Sequence, residues 1–298
     1  PAVYSADETL AVREMSWAEL SDQTRRAAQA LRAMGVQPGD RVAAYLPNIP
    51  EALIALLATA SIGAVWSSCS PDFGVQGVLD RFRQIETKDL IGATGYTYNG
   101  KWHDRHAALT ELAGSLHSLE HLLVIGDDAP TLPRAKSWRE TLDNARPDTP
   151  LVFEQVAFDH PLWILYSSGT TGLPKPIVHG HGGILLEHAK ATALQNDLKP
   201  GDRFFWYTST GWMMWNYLIG GLLSGASIIL YNGSPTYPTA DALFRLAEQT
   251  RMTYFGTSAA FINACIKAEI QPGQAHDLTS LRALGSTGSP LSADGFAW

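Results

Sequence analysis

Residues Pro161 to Pro176 read PLWILYSSGTTGLPKP, an apolar run of five followed by a stretch rich in serine, threonine and glycine that ends on Lys175. The apolar run has the length and composition of a buried strand. The segment after the loop, GGILLEHAKATALQ, reads as a helix, which puts the loop at the carboxyl end of a strand, where open α/β sheets bind ligands. Two readings compete for the loop itself: a solvated surface turn, or a cradle for phosphates. The Walker pattern needs four residues between its glycines and a Ser or Thr after the lysine. Here Gly169 and Gly172 are two residues apart and Lys175 precedes Pro176, so that pattern fails, as does the dinucleotide fingerprint. The physical ingredients of an anion site remain, namely glycines that let backbone N–H groups approach, hydroxyl donors and one cation.

Working outward from the loop, strand-like runs alternate with amphipathic segments. The runs are RVAAYLP, AVWSSCS, DLIGAT, LLVIG, PLWILYSS, RFFWYTS, SIILYNG, TYFGTS and LRALGST, and the alternation predicts an α/β fold with largely parallel sheets. The first helix is marked by a Ser16/Glu19 capping box, by Trp17, Leu20, Ala27, Ala28 and Leu31 near helical spacing, and by Gly35 as its stop. Two turns share the tetrapeptide Pro-Gly-Asp-Arg, Pro38 to Arg41 and Pro200 to Arg203, each between a helical segment and an apolar strand. With those matching flanks they favour two similar α/β layers. The expected division sets residues 41–198, through the loop and its helix, against 1–40 with 199–298, the second unit being incomplete. Asp127 to Pro150, with its prolines and charges, reads as a surface excursion.

Composition narrows the function classes. The 298-residue chain is 45% hydrophobic and 17% charged with a net charge of −7, which supplies a large core and argues against a nucleic-acid partner. Its two cysteines, Cys69 and Cys265, lie in apolar segments and read as core thiols of a protein from a reducing, cytoplasmic compartment. The longest apolar stretches carry Gly, Ser and Thr and fall short of a bilayer span, so no membrane partner is expected. His179, His181 and His188 have no cysteine or carboxylate nearby except Glu187 to complete a metal set; His179 and His181 read as groups that orient the loop backbone, and no metal site is expected among the three.

The order hydrophobic-Ser-Ser-Gly-Thr-Thr-Gly-x-Pro-Lys closely resembles the phosphate loop of the acyl-adenylate-forming superfamily, which contains acyl-CoA synthetases, luciferases and the adenylation domains of peptide synthetases. The stretches AVWSSCSPDFGVQGVLDRFRQI (Ala64 to Ile85), PKPIVHGHGGILLEHAK (Pro174 to Lys190) and TGWMMWNYLIGGLLSGASIILYNGSPTYP (Thr210 to Pro238) are similar to the branch that activates acetoacetate. The resemblance runs from Met15 to Trp298. It departs from the family pattern at Pro176, where Gly or Ala is usual.

That resemblance implies the large N-terminal domain of the superfamily, two stacked α/β subdomains, and a two-step reaction. A carboxylate attacks the α-phosphate of ATP to give acyl-AMP and pyrophosphate, and the thiol of coenzyme A then displaces AMP. Repulsion between the carboxylate and the triphosphate must be screened by Mg²⁺ and by fixed donors. Ser167, Ser168, Gly169, Thr170, Thr171, Gly172 and Lys175 match the grip on the β- and γ-phosphates. Trp212, Met213, Met214 and Asn216 match the acyl pocket, with Asn216 or a backbone N–H offered to a 3-keto oxygen. Gly288, Ser289 and Pro290 match the adenine-binding stretch, and Arg81 an arginine near the phosphates of coenzyme A. The metal-holding acid, the ribose aspartate and the catalytic lysine of relatives match nothing up to Trp298, so the chain by itself is expected to be inactive. A ligase for acetate, propionate or butyrate, and a non-catalytic nucleotide-binding fragment, remain the alternative expectations.

Overall fold

The computed structural model describes residues 1–126, 132, 135–167 and 172–298; Ser168, Gly169, Thr170 and Thr171 of the glycine-rich loop lie outside them. The two Pro-Gly-Asp-Arg turns organise the rest. In each the Asp side chain accepts the backbone N–H of the residue before the Pro, Gln37 to Asp40 at 2.7 Å and Lys199 to Asp202 at 2.9 Å. Gly39 and Gly201 take φ of +85° and +93°, a conformation that disfavours any side chain. Each turn launches the central strand of a sheet.

The first sheet contains β3 (Arg41–Tyr45), β4 (Val65–Cys69), β5 (Asp89–Ala93), β8 (His121–Ile125), β9 (Ala135–Ser137), β10 (Pro161–Ser167) and β11 (Lys175–Gly180), in the order β11-β10-β4-β3-β5-β8-β9. The second contains β1 (Val3–Asp7), β2 (Arg13–Met15), β12 (Arg203–Trp206), β13 (Ser227–Asn232), β14 (Tyr254–Ser258) and β15 (Ala283–Thr287), in the order β15-β14-β12-β13-β1-β2. All neighbours pair in parallel except β10 with β11 and β1 with β2. A separate hairpin, β6 (Gly95–Tyr98) with β7 (Lys101–Asp104), follows β5. The architecture is α/β with mostly parallel sheets.

Between the sheets lie helices α1 (Trp17–Ala33) and α2 (Pro50–Ser61), and α7 (Met213–Ile219), which follows β12. Their apolar faces join Val42, Ala44 and Trp66 of the first sheet and Phe204, Ile228 and Leu230 of the second in one core. The capping box of α1 forms as expected, with the Ser16 Oγ accepting from Glu19 N–H and the Glu19 carboxylate accepting from Ser16 N–H. The outer faces carry α3 (Val75–Phe82), α4 (His106–Ser115), α8 (Ala242–Thr250) and α9 (Ala259–Lys267), buried through residues such as Phe82, Leu109, Phe244 and Phe261. Both cysteines are free and buried, and burial pushes their thiols up to about 12 for Cys69 and about 11 for Cys265. No helix among the described residues is long and apolar enough to cross a membrane.

Three expectations need correction. The loop at Ser167 does not lead directly into a helix: β11 intervenes, antiparallel to β10 with Ser167 opposite Lys175, so the loop is the tip of a hairpin and α6 (His181–Lys190) starts only after it. Pro176 is accommodated because β11 is an edge strand, where a missing N–H leaves no ladder bond broken. Trp17 is exposed, because the buried stripe of α1 runs through Leu20, Thr24, Ala27, Ala28 and Leu31. Within 127–150, β9 completes the edge of the first sheet, and α5 (Trp138–Asp143) buries Trp138 and Leu142 against the core, so this part is not a surface excursion. His179 lies opposite Trp163 in the β10–β11 ladder, and its Nδ1 accepts the indole N–H of Trp163 at 3.0 Å.

Candidate functional site

Parallel strands expose their C-terminal ends on one edge, and the two sheets bring those edges together. A cavity of about 600 Å³ opens there. The first sheet contributes Pro47 and Asn48 beyond β3, Ser70, Pro71 and Asp72 beyond β4, and Tyr96 and Tyr98 from the hairpin beyond β5. The second contributes Trp206 to Ser209, Tyr231 to Gly233, Thr257 and Ser258, and Thr287 and Gly288, each set at the end of its strand. Trp212 and Met214, at the start of α7, complete the wall.

Polar cross-links beneath the cavity fix the two edges to each other. The amide of buried Asn48 donates to the carbonyls of Thr208 at 3.4 Å and Tyr231 at 3.3 Å, while its Oδ1 accepts the Trp215 indole N–H at 2.9 Å. Thr210 Oγ1 donates to the Leu46 carbonyl at 2.5 Å, and Ser68 Oγ to the Thr210 carbonyl at 2.7 Å. Buried polar groups paired in this way hold one geometry, because each lost partner strands a desolvated donor or acceptor.

The turn Ser70 to Phe73 is held from two sides. The Tyr45 hydroxyl donates to the carbonyls of Pro71 and Phe73 at 2.9 and 2.8 Å, and Arg105 Nε donates to the Pro71 carbonyl at 2.6 Å. Burial pushes the Tyr45 phenol up to about 12, so it stays a neutral donor. Thr257 also borders the cavity but is almost fully buried, and its Oγ1 has no hydrogen-bond partner among the described residues.

The candidate residues fall in three places. Trp212, Met214 and Gly288 line the cavity; Ser289 and Pro290 continue from Gly288 on the exposed surface, and Met213 points away, more than half exposed. Asn216 is buried behind the wall, with neither its amide nitrogen nor its oxygen partnered among the described residues. Ser167, Gly172 and Lys175 sit at the hairpin tip, outside the cavity lining, with Gly172 at φ +135° and Lys175 exposed; Ser168 to Thr171 lie outside the described residues. Arg81 connects the two regions. Its guanidinium lies over the rings of Phe73 (4.9 Å) and Tyr166 (5.6 Å), next to the start of the loop, and Gln84 one turn on donates to the Pro174 carbonyl at 2.8 Å.

Among the described residues no group of three or more His, Cys, Asp or Glu could hold a metal ion. His181 and His188 are held low, chiefly by burial, and so remain neutral near pH 7. Asn48, Ser70, Tyr96, Tyr98, Tyr207 and Thr257 escaped the sequence reading. The signal was there in part, since each follows or closes a strand on the ligand-binding edge, and Asn99-Gly100 marks a tight hairpin between Tyr98 and Lys101.

Comparison with known proteins fits this arrangement. The chain is 47% identical over 300 residues to acetoacetyl-coenzyme A synthetase of Rhizobium meliloti (strain 1021), covering 99% of this chain and 46% of that protein. It is 41% identical over 308 residues to acetoacetyl-CoA synthetase of Danio rerio, covering 100% and 46%. The structure of acetoacetyl-CoA synthetase from Streptomyces lividans superposes with a TM-score of 0.96 at 54% identity, over 100% of this chain and 46% of that one. The chain thus spans about half the length of the relatives it matches. The family model described as AMP-binding enzyme matches residues 1–298, and the chain belongs to that family.

Proposed function

We propose that this chain is the nucleotide- and acyl-binding part of an enzyme that activates acetoacetate with ATP and passes the acyl group to coenzyme A. The observation that carries the reading is the cavity at the joined strand ends, which has room for a small acyl-adenylate and whose wall includes Trp212, Met214 and Gly288. The relatives' names add the substrate.

In the first step a carboxylate oxygen of acetoacetate attacks the α-phosphorus of ATP, and the bond to the β-phosphate oxygen breaks to release pyrophosphate. Ser167, Ser168, Gly169, Thr170, Thr171, Gly172 and Lys175 hold the departing β- and γ-phosphates. The adenine lies along Gly288, Ser289 and Pro290. Trp212 and Met214 bound the acyl end, with Asn216 behind them and Met213 turned outward on the same helix, and bulky apolar side chains close the pocket early and favour a short acid. In the second step the sulfur of coenzyme A attacks the acyl carbon and AMP leaves, with Arg81 near the coenzyme's phosphates. Mg²⁺ would screen the triphosphate in such a reaction; the described residues supply no set of ligands for it, and no step here runs through it.

We assign residues 41–198 to one subdomain and 1–40 with 199–298 to the other, and the enzyme to the cytoplasm. The test is acid-dependent exchange of labelled pyrophosphate into ATP by the complete gene product, with acetoacetate, acetate, propionate and butyrate compared. Acetoacetate should have the highest kcat/KM. Equal rates with butyrate would sink the assignment of the acid, and no exchange with any acid would sink the activity.

A further inference from the structure

Glu8 follows β1 in the second sheet, and its carboxylate is almost fully buried. Its partners are three backbone N–H groups: Asn99 to Oε1 at 2.5 Å, Gly100 to Oε2 at 2.7 Å and Ser234 to Oε1 at 2.8 Å. Asn99 and Gly100 form the two-residue turn of the β6–β7 hairpin, both at positive φ (54° and 72°). In such a turn the two central amides have no partner across the ladder. Glu8 supplies both. Room for it is made by Gly233, where a Cβ would fall 2.3 Å from Glu8 Cγ.

Besides Glu8, the Tyr237 ring lies against Gly100 at the tip, and the hairpin is also attached at its base. There Arg105 donates to the Tyr96 hydroxyl at 3.2 Å, lies 5.1 Å over the Tyr96 ring and also holds the Pro71 carbonyl. Base and tip are therefore tied to different sheets: Arg105 ties the base to the turn beyond β4, and Glu8 ties the tip to β1 and the loop beyond β13. Between these two attachments, Tyr96 and Tyr98 face the cavity.

We propose that Glu8 is a positioning residue: it latches the hairpin that follows β5 to the second sheet across the cavity, and thereby holds Tyr96 and Tyr98 as a fixed wall of the substrate site. The inference rests on the reading of this cavity as the site of the acyl-adenylate. A carboxylate suits the role better than a neutral side chain, since one group accepts three N–H bonds and charge strengthens each of them.

The test uses the complete gene product and has two arms. Amide hydrogen exchange reads the latch. Glu8→Ala should speed exchange at Asn99, Gly100 and Ser234 by about tenfold or more. Glu8→Gln, with one accepting oxygen left, should release the Gly100 amide and spare the other two. Gly233→Ala strikes the same latch from the other side and should reproduce the Glu8→Ala pattern. Calorimetric binding of the propyl ester of AMP, a stable mimic of an acyl-adenylate, reads the wall. Its Kd should rise about tenfold in Glu8→Ala, and by less in Glu8→Gln, as expected when a preformed site loses its order. Unchanged exchange at the three amides overturns the latch. Faster exchange with an unchanged Kd overturns the positioning role and leaves Glu8 a structural anchor. A wild-type protein that fails to bind the ester overturns the cavity reading and the positioning role with it, while the exchange arm still decides whether Glu8 holds the hairpin.

Discussion

PGDRVAAY (Pro38 to Tyr45) and PGDRFFWY (Pro200 to Tyr207) occupy the same place in two sheets, and the likeness extends beyond the shared letters. Around β3 the order is β4-β3-β5-β8; around β12 it is β13-β12-β14-β15. The carbonyl of each turn Asp accepts the N–H that opens the second strand (Val65 to Asp40 2.7 Å, Ser227 to Asp202 2.9 Å), and the carbonyl of each Arg accepts the N–H just before the third (Lys88 to Arg41 and Thr253 to Arg203, both 3.0 Å). The tyrosine closing each motif sends its hydroxyl to the loop beyond the second strand, Tyr45 to Pro71 and Phe73, Tyr207 to Gly233. The filling differs. Val42, Ala43 and Ala44 in one central strand correspond to Phe204, Phe205 and Trp206 in the other, and the first sheet places its bulk on β4 instead, as Trp66 stacked on Trp215. Turn chemistry and strand-end hydrogen bonds thus keep the plan, while volume can move between strands as long as the layer is filled.

That exchange of volume is easiest to break at Gly256. It sits opposite Trp206 in the ladder, and a Cβ there would lie 2.2 Å from the indole. The corresponding ladder position of the first sheet, opposite Ala44, is Ile91. Gly256→Ala should cost about 3 kcal/mol in urea unfolding, the upper range for overpacking, and displace Trp206 from the cavity wall. Ile91→Val, which only trims its site, should cost about 1 kcal/mol.

The turn aspartates give the next contrast. Arg282 holds Asp202 through two bonds (3.2 and 2.7 Å) with the carboxylate nearly buried. Burial alone would raise that carboxyl, but Arg282 and the Lys199 N–H outweigh it and hold it below the usual range. Arg282→Ala should cost about 2 kcal/mol near pH 7, less than for a fully buried pair because the guanidinium is partly exposed. A carboxyl held low in the folded state stabilises above its unfolded pKa of about 3.9 and loses that contribution as pH falls through the folded value. The difference between wild type and Arg282→Ala should therefore close below about pH 4.

What was legible in the chain was local. Nine strands, the Ser16 capping box, both Pro-Gly-Asp-Arg turns and the core cysteines carry their signals within a few residues. β11 did not, because an edge strand with Pro176 and exposed Ile177 and Val178 shows neither the composition nor the alternation of a half-buried one. Most of the cavity wall was not legible either. Asn48, Tyr98, Tyr207 and Thr257 meet only because strand order joins two sheet edges, and no spacing along the chain encodes that order. Glu8 is the extreme case, since its partners lie 91, 92 and 226 residues away.

The twin tyrosines should behave alike. Tyr45→Phe and Tyr207→Phe each remove one buried hydroxyl from carbonyl acceptors and should cost about 1 kcal/mol apiece. They share no partner, so the double variant should cost the sum, to within about 0.5 kcal/mol. A larger loss for the pair would mean that the two strand ends are coupled through the cavity.

The smallest effect belongs to the first sheet's own turn pair. Lys88 donates to Asp40 at 2.8 Å and to the Gly35 carbonyl at 3.1 Å, with both charged groups partly exposed. Lys88→Ala should cost no more than about 1 kcal/mol, and 1 M salt should remove much of it by screening. The Asp40 hydrogen bond raises the lysine above its ordinary value. A raised lysine stabilises fully below its unfolded pKa of about 10.4 and loses that contribution as pH rises through the folded value. Arg282 stays charged throughout this range. Above about pH 10.5, then, wild type and Lys88→Ala should converge in stability, while wild type and Arg282→Ala stay apart. If both gaps persist at alkaline pH, Lys88 acts through packing of its alkyl stem, and the charge pairing of the two turns is less alike than their shared tetrapeptide implies.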